Sequence, residues 1–498
     1  MSIQIKKTIL ICLASTLLAM LFNFCNTHLL QSDGIALRDN QMVITADDIS
    51  YLAPADNFIQ NGVWKSNTIG NNAYYLRTPG YGGIYLIFKL LFPTNSLLAL
   101  KLFQILLFGI STGLLYLIAQ WFCKNNIAAA IASIVYGCTP FACGFLSYTL
   151  TEAVTPALVI INLFCLLRYA DKKHTGWLIA HSVFLAILII TRPVLGFWFG
   201  LSVVVIGTTH TTIANKIRHL LMVLFIAMLP TILWQIRGYQ IANKVIGLHP
   251  IYSTDSPDVF RPSHLAVWQF TKKWNSNGEQ FHNTIHQFWA AAEIDDTLPL
   301  CIEQTINKIP PKVVQTIGIN NIHTAYTSYY QLLQKQMFFV HTNSLVSPQF
   351  CTQEQAVVQI FDSLSKVMSY KLPLQTHIIT PLKSYCAMAL HSNLSMYMFQ
   401  KSFRGKKAME SMRLLFFAIH AFLFIIVWVA LVIYRTDIVR LTIICLVCIY
   451  LIFLAWIQRG VEERYTLPVL PLLIVIATGT IVKTCRYLQT RKEKSAKD

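Results

Sequence analysis

Two adjacent carboxylates, Asp47 and Asp48, stand in the stretch ITADDISYLAPADNFIQNGVW soon after the first long apolar run of the chain ends. They stand out because the chain has 22 acidic residues against 40 Lys and Arg. Three more acids sit beside apolar runs in distant parts of the sequence: Glu152 in SYTLTEAVTPAL, and Glu462 with Glu463 in QRGVEERYTLPVLP. An ionisable group close to a membrane segment is costly and usually has a functional reason, although an acid at a helix end also complements the helix dipole. Arginines accompany these acids: Arg77 in LRTPGYG, Arg192 in ITRPVLG and Arg464 in EERYTLP. A guanidinium can clamp a phosphate through two parallel hydrogen bonds; one arginine alone can equally snorkel to the headgroup level. A carboxylate can take a proton from an acceptor hydroxyl while cations stabilise a departing phosphate. Glycosyl transfer from a lipid phosphate needs both.

Helices must bring these residues together. The chain of 498 residues is 55% hydrophobic and 12% charged, which argues against a soluble globular protein and for a polytopic, all-α membrane protein. Apolar runs of roughly 20 residues, long enough to cross a hydrocarbon core, recur along it. About ten spans are predicted, near residues 8–25, 97–122, 127–147, 153–169, 177–191, 193–208, 219–236, 412–434, 438–457 and 465–484. The first is expected to be retained, since no small-x-small cleavage site follows it. With the N-terminus inside, the turns holding Lys124, Lys172 with Lys173, Lys216 with Arg218, and Arg435 with Arg440 face the cytoplasm, as does the basic tail 485–498. That threading puts residues 26–96 and 237–411 outside and brings Asp47, Asp48, Glu152, Glu462 and Glu463 to one membrane face.

The expected organisation is a transmembrane module over 1–236 with its first outer loop at 26–96, an extracytoplasmic domain at 237–411, and transmembrane helices over 412–484. In the first loop, Ile49, Leu52, Ala53, Phe58 and Ile59 recur at helical intervals, which predicts an amphipathic surface helix ended at the Asn-Gly pair. The apolar run after RTPGYG is short enough to be re-entrant or interfacial. Runs such as IHTAYTSYYQLLQKQMFFV predict a mostly helical second loop.

The formal charge of +18 follows largely from the cytoplasmic turns, and its remainder suits anionic lipid. No nucleic-acid-binding motif is present. The twelve cysteines lie mostly within spans, and Cys445 with Cys448 is a C-x-x-C without a second pair. Cys301, Cys351 and Cys386 in the second loop leave one disulfide open. His282 and His286, spaced i, i+4, would share a helix face as metal ligands can, but without an H-E-x-x-H motif. Glu293, Asp295 and Asp296 lack the spacing of a calcium loop. Asn393 to Ser395 forms an N-x-S triplet.

Asp47, Asp48 and Tyr51, in the order D-D-x-x-Y with Gly62 downstream, resemble the first-loop motif of the GT-C glycosyltransferases. The nearest resemblance is to bacterial relatives of dolichyl-phosphate-mannose protein mannosyltransferases and of the lipid A aminoarabinose transferase. RTPGYG resembles that group's R-x-P-G-Y-P, and Thr151-Glu152, TRP at 191–193 and ERYTLPVLPLL at 463–473 follow in the same order. The likeness covers residues 40–236 and 455–484, and hardly touches 237–411. Gly82 stands where the pattern usually has Pro, and Asp48 where it more commonly has Glu.

The resemblance implies a GT-C transmembrane bundle and an inverting transfer of a sugar from a polyprenyl-phosphate donor. The acceptor is a lipid, glycan or protein on the outer face of a bacterial cytoplasmic membrane. It implies Asp47 as the base, Glu152 as a second acid that positions the acceptor or assists the base, and Asp48 as a support for Asp47 or a cation ligand. Arg77, Tyr81, Arg192, Arg464 and Tyr465 are implied in holding the donor's phosphate and sugar. It leaves a divalent cation open, since some members use one and others do not. Two other classes share the broad layout. An O-antigen polymerase or ligase would not need the paired Asp after the first span. A lipid-linked sugar transporter would carry ionisable groups at mid-membrane and related halves, and neither is evident here.

Overall fold

The computed structural model describes residues 3–45, 47–66, 77–209, 211–242, 245, 247–248, 255–257, 261–276, 278–296, 300–390, 406–459 and 463–495. The N-x-S triplet and Glu462 lie outside the described residues. The protein is an all-α polytopic membrane protein. Among the described residues, six helices are long and apolar enough to cross a membrane: Gln4–Ser32, Ser96–Cys123, Ile213–Ile241, Lys407–Ile433, Ile438–Gln458 and Glu463–Glu493. A seventh crossing is available if the pair Asn126–Gly137 and Pro140–Ser147, bent by 43°, counts as one span. Pro140 accounts for the break, because it offers no backbone N–H and disfavours helical backbone in the residue before it.

Each of the ten predicted spans is helical, but three do not meet the length and apolarity of a crossing. Thr155–Lys172 is 18 residues long and carries Arg168, Asp171 and Lys172 in its last turns. Thr175–Thr191 has 17 residues, and the 3-10 turn from Pro193 continues into a helix of only 9 residues, Phe199–Gly207. Thr175–Thr191 and Pro193–Gly207 are shorter apolar helices by length and composition alone. Arg192 and Pro193 are what cut the second and third apart.

The first loop is built in three steps. A two-residue hairpin, which sequence reasoning missed, pairs Leu37 with Val43 and Arg38 with Met42. Its turn places Asp39 and Asn40 at φ 50° and 56°, the left-handed pair that a tight hairpin requires. The buried Lys101 fixes this hairpin to the bundle, donating to the Gln41 carbonyl (3.1 Å) and to Thr27 Oγ1 (2.8 Å). A parallel bridge from Val43 to Tyr148 then ties it to the segment that carries Glu152.

The predicted surface helix follows as Asp48–Asn61, ended by Gly62 in the left-handed conformation. The apolar run after RTPGYG is a short helix, Pro79–Leu91, with Pro in its first turn. Its glycines are close-approach points. A Cβ on Gly80 would lie 2.5 Å from Thr191 Oγ1, and one on Gly82 2.8 Å from the Tyr51 carbonyl oxygen. Gly82 thus lets this helix rest directly on the backbone of the helix that carries the paired aspartates.

The second loop folds around its own core. The helices Pro262–Thr271, Gly278–Glu293, Leu300–Ile306, Pro311–Ile317, Ile319–His341 and Pro348–Lys371 pack on Phe270, Phe288, Tyr326, Phe361 and Met368. A buried Arg261–Glu354 pair (2.6 Å), joined by the Ser263 hydroxyl on the same carboxylate, holds the first of these helices to the last. Helix Thr380–Ala389 instead belongs to the membrane bundle: Met388 and Ala389 lie in its core, and the Tyr385 hydroxyl donates to the Phe424 carbonyl (3.1 Å). All twelve cysteines are unbridged.

Candidate active site

Asp47 immediately precedes the surface helix, where an aspartate ordinarily caps the first backbone N–H groups. Here its carboxylate makes no capping bond and turns instead to two arginines. Arg77 donates to Oδ1 (2.7 Å) and Arg464 to Oδ2 (2.9 Å). Arg77 enters from the start of the Pro79–Leu91 helix and Arg464 from the 3-10 turn Glu463–Val469, so three distant segments meet on one carboxylate.

Arg77 is held in place from both sides. Its Nε donates to Ser50 Oγ (3.1 Å), and its guanidinium lies 5.1 Å over the Tyr51 ring. Tyr51 is one helical turn beyond Asp47 and therefore on the same side of the helix. Tyr51 in turn meets the Tyr81 ring edge-on at 5.6 Å. The Tyr81 ring is fully buried, and its hydroxyl donates to Gln104 Oε1 (2.7 Å). Tyr81 therefore packs behind Tyr51, away from the open side of the site.

Asp48 points elsewhere. Its carboxylate, 2% exposed, accepts from Nε (3.1 Å) and Nη2 (2.9 Å) of Arg38 on the hairpin, and its backbone N–H donates to Thr45 Oγ1. The two adjacent aspartates thus serve different arginines and do not converge on one point.

Glu152 sits on the 3-10 turn Thr151–Ala153, 4% exposed, and forms an ion pair with Arg192 (3.0 Å) while accepting from the Thr151 hydroxyl (3.1 Å). Tyr465 joins the two halves of the site. Arg192 lies 5.0 Å over its ring and Arg464 5.4 Å, and the Tyr450 hydroxyl fixes its backbone carbonyl (2.8 Å). Arg38 went unread in the sequence; the Asp-Asn turn beside it was the available signal.

The charges do not balance evenly. Asp48 and Glu152 are each bonded to one arginine, whereas Asp47 is shared by two and remains 29% exposed. Asp47 is therefore a half-open carboxylate held between two guanidinium groups. Burial pushes the Asp47 carboxyl up, but Arg77 and Arg464 outweigh it and hold the group below the ordinary carboxylate range. Burial likewise pushes Glu152 up, and Arg192 with Arg464 brings it below its ordinary value. Both acids are ionised at neutral pH.

From the helical domain, His282 interacts electrostatically with Asp47 and Arg464. Burial and the neighbouring His286 hold His282 below its usual range, so its ring is neutral at neutral pH. His264 is depressed to about 3 by burial and by these two histidines. Among the described residues, no group of three or more His, Cys, Asp or Glu side chains is arranged to hold a metal ion.

These features define a polytopic all-α membrane protein with a cluster of carboxylates and arginines at one end of its bundle. Residues 77–234 match the model of the family described as dolichyl-phosphate-mannose-protein mannosyltransferase. That segment contains Arg77, Tyr81, Glu152 and Arg192, but not Asp47 or Arg464. Two crystal structures of ArnT from Cupriavidus metallidurans align along most of the chain. The apo form is 15% identical, covering 95% of this chain and 76% of that one at a TM-score of 0.34. The form bound to undecaprenyl phosphate is 12% identical, covering 96% and 77% at a TM-score of 0.35. At such scores the superpositions carry no functional weight. Among curated proteins, none matches significantly.

Proposed function

We propose that this protein is a membrane glycosyltransferase that moves a sugar from a polyprenyl-phosphate donor to a lipid, glycan or protein acceptor on the outer face of a bacterial cytoplasmic membrane. The observation that carries the reading is the half-open Asp47 held between Arg77 and Arg464. The family match over residues 77–234 supports the same class of reaction.

In the resting arrangement Asp47 is a weak base, because two guanidinium groups stabilise its charge. A donor phosphate offers those groups a competing anion. As Arg77 and Arg464 turn to the phosphate, Asp47 loses stabilisation, its proton affinity rises, and it becomes able to take the acceptor hydroxyl's proton. The oxygen then attacks the anomeric carbon while the bond to the phosphate oxygen breaks on the opposite side. The proton ends on Asp47, the electron pair leaves with the polyprenyl phosphate, and the anomeric configuration inverts. The arginines stabilise the leaving charge. Glu152, locked to Arg192, sets the position of Tyr465 and thereby of Arg464. Hexose or pentose, and the acceptor, are decided by contacts outside this cluster.

The test uses the full chain in proteoliposomes with polyprenyl-phosphate sugars and an envelope extract, followed by mass spectrometry. Wild type should generate free polyprenyl phosphate and add one sugar mass to an extract component, and Asp47→Asn should do neither. Movement of the intact lipid-linked sugar across the vesicle with no change in mass would replace this reading with a transporter.

A further inference from the structure

Helix Thr380–Ala389, with the π-helical turn Gln375–Ile379 that leads into it, is built inside out. Its buried positions recur every fourth residue and are mostly hydroxyls: Thr376, Thr380 and Ser384, then Met388. Each hydroxyl is satisfied, Thr376 on the Met368 carbonyl (3.4 Å), Thr380 on the Lys273 carbonyl (3.2 Å) and Ser384 on the Thr380 carbonyl (3.2 Å). The exposed positions recur at the same interval and are apolar: Leu374, Ile378, Leu382 and Leu390, with the exposed Cys386 between the last two. A helix in water turns its apolar face inward, as the neighbouring Pro348–Lys371 does with Phe350, Phe361 and Met368. A helix in hydrocarbon does the reverse, setting hydroxyls against protein and apolar side chains outward.

The contacts of this helix fix its depth. Spans Lys407–Ile433 and Ile438–Gln458 are joined by a short turn, so Lys407 and Gln458 lie on the same side of the bundle. At that side the His377 carbonyl accepts from Trp456 Nε1 (3.0 Å). Further along, the Met388 carbonyl accepts from His420 Nε2 (3.0 Å), and the Tyr385 hydroxyl, which accepts from Trp428 Nε1 (2.6 Å), donates to the Phe424 carbonyl. The exposed Glu410–Arg413 pair (2.6 Å) holds the last carboxylate and guanidinium of the span that carries His420. At 1.5 Å per residue, His420 lies about 10 Å beyond Arg413 and Phe424 about 16 Å beyond it, toward the middle of a hydrocarbon core about 30 Å thick. A helix that ends at this depth leaves carbonyls without intrahelical partners, which is costly in hydrocarbon. The buried His420 meets one of them, which accounts for a histidine in the middle of an apolar span.

We infer that Thr380–Ala389 is a re-entrant helix that dips into the bilayer from the side of the helical domain, with Leu382, Cys386 and Leu390 against lipid acyl chains and His420 capping its inserted end. The insertion is re-entrant because the next described helix starts at Lys407, on the side from which this one enters. The second loop is thereby anchored in lipid as well as on the bundle. None of this rests on the transferase reading.

The test uses the full chain in phospholipid vesicles in which some of the lipid carries a diazirine midway along one acyl chain, with irradiation, digestion and mapping by mass spectrometry. Adducts are expected within residues 382–390, as on the exposed Ile425 of the neighbouring span, and in larger yield than from a lipid with the diazirine on its headgroup. In the same vesicles a charged maleimide on both sides of the bilayer should leave Cys386 unmodified until detergent denatures the chain, since a charged reagent does not enter hydrocarbon. His420→Ala should raise Cys386 modification about fivefold, the worth of one hydrogen bond, and His420→Gln, which can still donate an N–H, should stay near wild type. Adducts on Ile425 with none in 382–390, a larger yield from the headgroup probe, or prompt modification of Cys386 in vesicles overturns the inference. Protection of Cys386 without a lipid adduct would also overturn it, by showing that residues 391–405 cover this face. Equal rates for His420→Ala and wild type would overturn the capping role.

Discussion

Replacing Arg192 with Met leaves Glu152 as a carboxylate 4% exposed and without its ion-pair partner. Breaking a buried pair from one side costs about 3–5 kcal/mol, because the remaining charge stays desolvated. Arg464 still faces Glu152, so the lower end, about 3 kcal/mol, is the expected loss at pH 7.5. Its pH dependence is the sharper signature. In the wild type the folded Glu152 lies below its ordinary value, so its contribution is full above the ordinary glutamate range and fades as pH falls through the lowered one. In Arg192→Met the burial that pushes Glu152 up faces less opposition, so the penalty is largest above the raised value and is relieved as pH falls. The stability gap between variant and wild type should therefore narrow on acidification. Thermal unfolding of the detergent-solubilised chain at pH 7.5 and at mildly acid pH measures this, with Arg192→Met/Glu152→Gln expected to recover much of the loss. A gap that does not change with pH, or a double variant no better than the single, would refute the claim that an unpaired Glu152 charge is responsible.

Arg77→Met and Arg464→Met should each lower kcat/KM for sugar transfer by about tenfold to a hundredfold, the worth of one hydrogen bond between charged groups, at unchanged membrane abundance. The pH profile should differ between the two kinetic constants. The acid limb of kcat/KM reports Asp47 in the free enzyme and should lie below the ordinary carboxylate range, whereas that of kcat should lie higher, because bound phosphate draws the arginines away. Gly82→Ala should destabilise the chain by about 1–3 kcal/mol in unfolding measurements, since the added methyl would meet the Tyr51 carbonyl at 2.8 Å.

Much of this site was legible in the sequence because the membrane restricts where charge can go. The convergence of Asp47, Arg77 and Arg464 followed from threading the apolar runs and asking which ends share a face. Which acid meets which arginine was not legible. Asp47 and Asp48 are adjacent, yet opposite directions of their side chains give one to Arg77 and Arg464 and the other to Arg38. The hairpin that presents Arg38 is only two residues per strand, too short for an alternating pattern. Spacing alone does not show that close packing at Gly80 and Gly82 draws the Tyr81 helix inward and sets its hydroxyl on Gln104. The ten apolar runs are all helical, and three of them are shorter or more charged than the others because of Arg168, Asp171 and Lys172 and of the break at Arg192 and Pro193. The electrostatic interaction of His282 with Asp47 depends on how the helical domain sits on the bundle, which no local pattern encodes.

The most direct measurement is mass spectrometry of polyprenyl-phosphate sugars and surface glycans from cells carrying wild type, a deletion, or Asp47→Asn at matched membrane expression. The Asn variant keeps the size and shape of the side chain while removing the base, so it should accumulate the lipid donor and lose one sugar from the surface just as the deletion does. An Asn variant with wild-type donor levels and wild-type glycans would contradict the assignment of Asp47 as the base.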